Sequence, residues 1–68
     1  MRDTRIGDRF RDNDPRIKER IIVVDSIEGD LALCVNERSG RRSRIRLRRL
    51  YRQSRRGYVF LDNEKEET

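Results

Sequence analysis

The chain has no histidine and a single cysteine among its 68 residues, and these two scarcities remove most catalytic possibilities together. Without histidine neither a Ser-His-Asp triad nor a Cys-His pair can be assembled. One thiol and no imidazole leave no plausible zinc-ligand set, and Cys34 has no internal partner for a disulfide. Cys34 lies inside the apolar run Leu31-Ala32-Leu33-Cys34-Val35, where it reads as a small buried hydrophobe rather than a nucleophile. Glycine is sparse and dispersed at positions 7, 29, 40 and 57, which is incompatible with a phosphate-cradling loop. Asp12-Asn13-Asp14 begins like a calcium loop, but the sixth position is Ile17 in place of glycine and the twelfth is Val23 in place of glutamate. The expectation is a protein with no catalytic residues, no metal and no cofactor.

Long apolar runs are also missing. None approaches the ~18 residues of a membrane span, and no hydrophobic stretch follows Met1-Arg2-Asp3-Thr4-Arg5 to make a signal peptide. The expected setting is soluble, cytoplasmic and away from membranes. Charge is abundant, at 46% of residues, which raises the question of disorder. Against it, Leu, Ile, Val and Phe make up seventeen of the 68 residues, above the ~20% level that marks intrinsically disordered chains. They are concentrated in two stretches, 21–35 and 45–61.

Those stretches read as strands. Ile6-Gly7-Asp8-Arg9-Phe10-Arg11 is a short entry strand with Ile6 and Phe10 on the inward side. Asp12-Asn13-Asp14-Pro15 breaks it, with Ile17 as a hydrophobic plug under the loop. Ile21-Ile22-Val23-Val24 places four β-branched residues in succession, a strand signature. Glu28-Gly29-Asp30 turns the chain into Leu31–Val35, and Arg38-Ser39-Gly40 turns it again into 41–48. Gln53–Gly57 forms a loop before the closing strand Tyr58-Val59-Phe60-Leu61, in which Tyr58 and Phe60 face the core. Five short strands and no long helix predict an all-β fold: a small five-stranded SH3-like barrel, or alternatively an OB-like one. One helical turn is expected before the last strand, over Arg49-Leu50-Tyr51-Arg52. Residues 1–61 form one domain, and the acidic stretch 62–68 reads as a frayed tail.

Several of these segments occur together elsewhere. Ile6-Gly7-Asp8, Asp12-Asn13-Asp14-Pro15-Arg16, the hairpin, Gly40-Arg41-Arg42, Arg44-Ile45-Arg46-Leu47-Arg48-Arg49-Leu50 and Gly57-Tyr58 resemble a family of small, mostly uncharacterised proteins encoded by actinobacteria and their phages. The resemblance spans residues 6 to 61. It implies a small β fold in a bacterial cell, phage-infected or not, and brings no activity or site residues with it.

Acidic residues are absent from one stretch. Between Arg38 and Arg56, ten of nineteen positions are arginine and none is Asp or Glu, although the whole chain carries thirteen acids against eighteen bases. Planar guanidinium groups grip phosphate and carboxylate oxygens in two-pronged fashion, so a polyanion is the partner this segment suits. If 41–48 is a strand, Ile45 and Leu47 point to the core while Arg44, Arg46 and Arg48 project from the other face. Their spacing is then about 6.5–7 Å per two residues, close to that of successive phosphates. A single helix over 41–56, like the arginine-rich peptides that fold on RNA, is the weaker alternative because residues 45, 47, 50 and 51 keep no helical face. The plainer reading is a solvated strand face whose arginine stems cover apolar surface.

Aromatic residues number four, and Tyr51, among Arg48, Arg49 and Arg52, is the one placed to stack on a base. The candidate nucleic-acid contacts are therefore Arg41, Arg42, Arg44, Arg46, Arg48, Arg49, Arg52 and Tyr51, on DNA or RNA. Docking on an acidic protein surface is the alternative function, and self-assembly of a structural subunit a third. A monomer or weak homo-oligomer is expected.

Overall fold

The computed structural model describes residues 4–14, 16, 20–50 and 57–65. The chain forms five antiparallel strands: β1 (Asp8–Asp12), β2 (Ile21–Glu28), β3 (Leu31–Asn36), β4 (Arg42–Arg46) and β5 (Tyr58–Asn63). They make one sheet in the order β4-β3-β2-β1-β5. Three successive antiparallel pairings and the return of β5 to the far side of β1 account for the whole order. The expected all-β fold is thus present, but β4 and β5 stand at opposite ends of the sheet and do not pair. The barrel is open.

With one sheet and no helical layer, the apolar face can be covered only by curling the sheet on itself. The core accordingly draws on every strand. Phe10, Ile22, Val24, Ala32, Cys34, Ile45 and Tyr58 form one buried cluster, completed by Leu50 from beyond β4 and flanked by Ile27, Leu47 and Phe60. The rings of Phe10 and Phe60 meet edge to face with centroids 5.7 Å apart, the arrangement favoured by the ring quadrupoles.

Two bulges break the two-residue alternation. In the β2–β3 ladder Val24 faces Cys34 and Ser26 faces Leu33, leaving Asp25 as the extra residue. Before it the even-numbered Ile22 and Val24 are buried, and after it the odd-numbered Ile27 turns to the core. In the β1–β5 ladder Phe10 faces Phe60 and Arg9 faces Asp62, so Leu61 is the extra residue. That second bulge sets Asn63 opposite Asp8. Asp8 is fully buried, accepting from the Arg5 backbone N–H at 2.9 Å and from Asn63 Nδ2 at 2.7 Å. Gly7 beside it has φ +95°, and a Cβ there would lie 2.9 Å from Asn63 Oδ1 and 2.8 Å from Lys65 Cγ. Only glycine fits that crossing without displacement.

Several expectations shift. Ile6, expected inward, is 43% exposed, because the turn at Ile6-Gly7 precedes the strand and gives the inward place to Asp8. The strand expected over 41–48 is confined to Arg42–Arg46, and the helical turn is a 3-10 turn at Leu47–Arg49 instead of 49–52. The cause is visible at the junction. Leu47 N–H donates to Asp30 C=O at 2.8 Å as a last rung in register, just beyond the start of β3 at Leu31, and Leu47 C=O accepts the Leu50 N–H at 2.9 Å, so the chain turns out of the sheet there. The last strand runs to Asn63, past the expected boundary at Leu61, held by the Asp8–Asn63 bond and by Glu64 N–H donating to Gly7 C=O. Ile17, Tyr51 and Arg52 lie outside the described residues.

Candidate nucleic-acid interface

Strand β4 is an edge strand whose alternation sorts its side chains cleanly. Ile45 is buried, while Arg42, Arg44 and Arg46 are exposed on the outer face of the sheet. Across the ladder the three arginines stand opposite Val35, Leu33 and Leu31. All three partners are half-buried. Each arginine stem is therefore positioned to lie over an apolar neighbour while its guanidinium reaches water, the usual compromise for a long cationic side chain. Two-residue steps along a strand separate the three heads by about 6.5–7 Å each.

Arg48 departs from the expected grouping with Arg44 and Arg46. It sits with Arg49 in the 3-10 turn, both exposed between the half-buried Leu47 and the buried Leu50. Thr4 Oγ1 donates to the Leu50 carbonyl, which ties this turn to the beginning of the chain. Arg41 is exposed in the loop leading into β4. The structure thus brings Arg42, Arg44 and Arg46 together on one face and places Arg41, Arg48 and Arg49 at the two ends of the strand.

The counter-charges lie mostly elsewhere. Arg46 pairs with Asp30 at 2.9 Å, with both side chains well exposed. Among the described residues, Arg41, Arg42, Arg44, Arg48 and Arg49 form no ion pair. Arg9, on the outer face at β1, takes two carboxylates: Nε and Nη2 meet Glu37 at 2.7 and 3.0 Å, and Nη1 meets both oxygens of Asp62 at 3.0 and 2.8 Å. The hydrogen bond from Arg9 holds the Glu37 carboxyl below its ordinary value, and the two carboxylates hold the Arg9 guanidinium above its own. Sequence reading did not single out Arg9, since pairing across 28 and 53 positions leaves no local pattern.

Between Arg42 and Arg44 and the strands behind them runs a shallow groove of about 280 Å³, lined also by Asp25, Ser26, Leu33 and Val35. The residues facing outward across β2 and β3 are the aliphatic Ile21, Val23, Leu31, Leu33 and Val35 with the polar Ser26 and Glu28, and no aromatic ring is among them. Of the aromatic residues described, Phe10 and Tyr58 are buried and Phe60 packs against the core. Cys34 is buried too, and desolvation pushes its thiol up to about 11. Among the described residues no group of three or more His, Cys, Asp or Glu side chains is arranged to hold a metal ion, and no helix is long and apolar enough to cross a membrane. Comparison with protein-family models, curated proteins and solved structures found no match to this chain.

Proposed function

We propose that this chain binds nucleic acid through the outer edge of its sheet, gripping backbone phosphates with Arg42, Arg44 and Arg46 and extending the contact through Arg41, Arg48 and Arg49. Arg52 and Tyr51 belong to the same proposal on sequence grounds. The observation that carries it is the row on β4: three exposed guanidinium heads at strand spacing, of which only Arg46 is in an ion pair among the described residues, with Asp30, while Asp25 shares the groove beside Arg42 and Arg44. The arrangement is suited to charge and spacing rather than to base identity, because the neighbouring outward face offers aliphatic side chains and no stacking ring. In the cell this is the chemistry of an accessory or regulatory protein acting on transcription, replication or RNA handling, in keeping with the bacterial and phage setting implied by its resemblance.

The test is a salt titration. If about five phosphates of duplex DNA are neutralised, log K falls against log salt with a slope near −4.5, at about −0.9 per phosphate. Binding to neither DNA nor RNA at low salt overturns the proposal. A second reading, docking on an acidic protein surface, is favoured by one specific observation: Leu31, Leu33 and Val35 stay half-exposed directly beside the arginines. Such a partner is marked by loss of binding on Leu33→Ser with the arginines intact, a change to which phosphate contacts are indifferent.

A further inference from the structure

The turn between β3 and β4 divides its side chains between two sides of the sheet. Glu37 goes to the outer face and is taken up by Arg9. Asn36, Ser39 and Arg41 go instead to a pocket of about 390 Å³ whose remaining wall is Arg20. The hydrogen-bond inventory of these four groups is one-sided. Asn36 Oδ1 already accepts from the backbone N–H groups of Arg38 and Ser39, at 2.9 and 3.0 Å, which leaves its Nδ2 as the free end. Ser39 Oγ accepts the Arg41 N–H at 3.2 Å, which leaves its hydroxyl proton to give. Guanidinium groups only donate. Arg41 has no ion-pair partner among the described residues, and Arg20 stands 3.6 Å from Asp12, a loose contact with a carboxylate that also accepts the Asp14 N–H. The pocket therefore offers two guanidinium groups, an amide and a hydroxyl, all as donors, with no acidic side chain in its wall.

We infer that this pocket is a binding site for a phosphate monoester, separate from the arginine row of β4. A tetrahedral dianion supplies acceptors in several directions, which matches donors offered from two chain segments, the β3–β4 turn and Arg20, and charge-assisted bonds of this kind are the strong ones. A terminal phosphate of a nucleic-acid strand and the phosphate of a free mononucleotide share this chemistry.

The experiment is a titration of the full chain with inorganic phosphate, followed by backbone and side-chain amide NMR shifts against chloride at matched ionic strength. Saturable shifts confined to the Asn36 side-chain amide and the 38–41 backbone are expected. Asn36→Asp keeps an oxygen for the Arg38 and Ser39 amides but turns the free end into an acceptor, so it should abolish phosphate binding while the spectrum stays folded. Arg41→Gln should weaken binding about tenfold or more, the scale of losing a bond to a charged group, and Arg11→Gln, at an exposed arginine outside both proposed surfaces, should leave it unchanged. Two further arms name the source. Tighter binding of a 5′-phosphorylated oligonucleotide than of its 5′-hydroxyl form, with the difference lost in Asn36→Asp, identifies a strand end. Tighter binding of a nucleoside monophosphate than of phosphate identifies a free nucleotide. Shifts that track ionic strength and spread over all exposed arginines overturn the site, and do so without touching the duplex-binding result, which rests on β4.

Discussion

Asp8 shows how much one side chain can settle. A carboxylate in a five-residue strand reads as surface, yet here it is fully buried and knots the entry of the chain to its last strand through Arg5 and Asn63. Replacing it with alanine removes an acceptor from the Arg5 N–H and leaves Asn63 Nδ2 only its bond to the Ile6 carbonyl, so Asp8→Ala should cost about 1–3 kcal/mol, read as a lower urea midpoint, with Asp8→Asn losing less because it keeps one acceptor. Cys34 was legible from sequence, because a thiol in an apolar strand has an obvious place to go. Its burial gives a prediction with a sign. A thiol raised to about 11 from an ordinary 9.0 favours the folded state below pH 9, and that contribution disappears as pH climbs from 9 towards 11. At pH 8 a disulfide reagent should label Cys34 only as fast as the protein opens. Rapid labelling of the folded protein would contradict the burial.

At the level of elements, β2 announced itself through its β-branched run, β3 through the apolar run that follows the Glu28-Gly29-Asp30 turn, and β4 through apolar and basic alternation. The extent of β4 did not. Leu47 continues the alternation of Ile45, so the pattern alone runs on to Arg48. The partner strand runs out at the turn before Leu31, where the Leu47 N–H makes a last rung to Asp30, and the Leu47 carbonyl then takes the Leu50 N–H; where a partner strand stops leaves no trace in the local pattern. Arg48 consequently belongs to a turn, and the set that shares one strand face is Arg42, Arg44 and Arg46. Changing those three to glutamine should reduce the steepness of the DNA salt slope by about 2.7, at about 0.9 per phosphate. Thermal stability should change little, because Arg42 and Arg44 have no ion pair and Arg46 has an exposed one. A variant that lost binding by unfolding would show itself in the melting curve.

For the whole molecule, charge is sorted by place rather than balanced. Two carboxylates gather on Arg9 at one side of the outer face, and the opposite edge carries three arginines against Asp30. Composition revealed the arginine excess, but the sorting depends on which strands become neighbours. It also sets an acid limit. The Glu37 carboxyl is lowered by its hydrogen bond to Arg9, so its contribution is complete above the ordinary 4.5 and is lost as pH falls through the lowered value. Acid titration of stability should therefore flatten in Glu37→Gln below pH 4.5, and an unchanged acid limb would mean that the pair does nothing for folding.

The extra residue at Asp25 makes β2 behave like a reading frame. Its four β-branched residues and the Ile27 that follows are in phase only because one position is skipped between them. The kind of residue at that place matters little, because it stands outside the paired register. Asp25→Ala or Asp25→Asn should alter stability by no more than about 0.5 kcal/mol, as exposed substitutions do. Removing Asp25 altogether should leave Val24 and Ile27 on the same face in a regular ladder and the sheet folded by circular dichroism, whereas inserting one alanine beside it should put Ile27 out of step with Ile22 and Val24 and unfold the protein. For this chain a gained residue at that place is a graver event than a changed or a lost one, and lineages of such sheets should drift freely in letter there while adding nothing to the count.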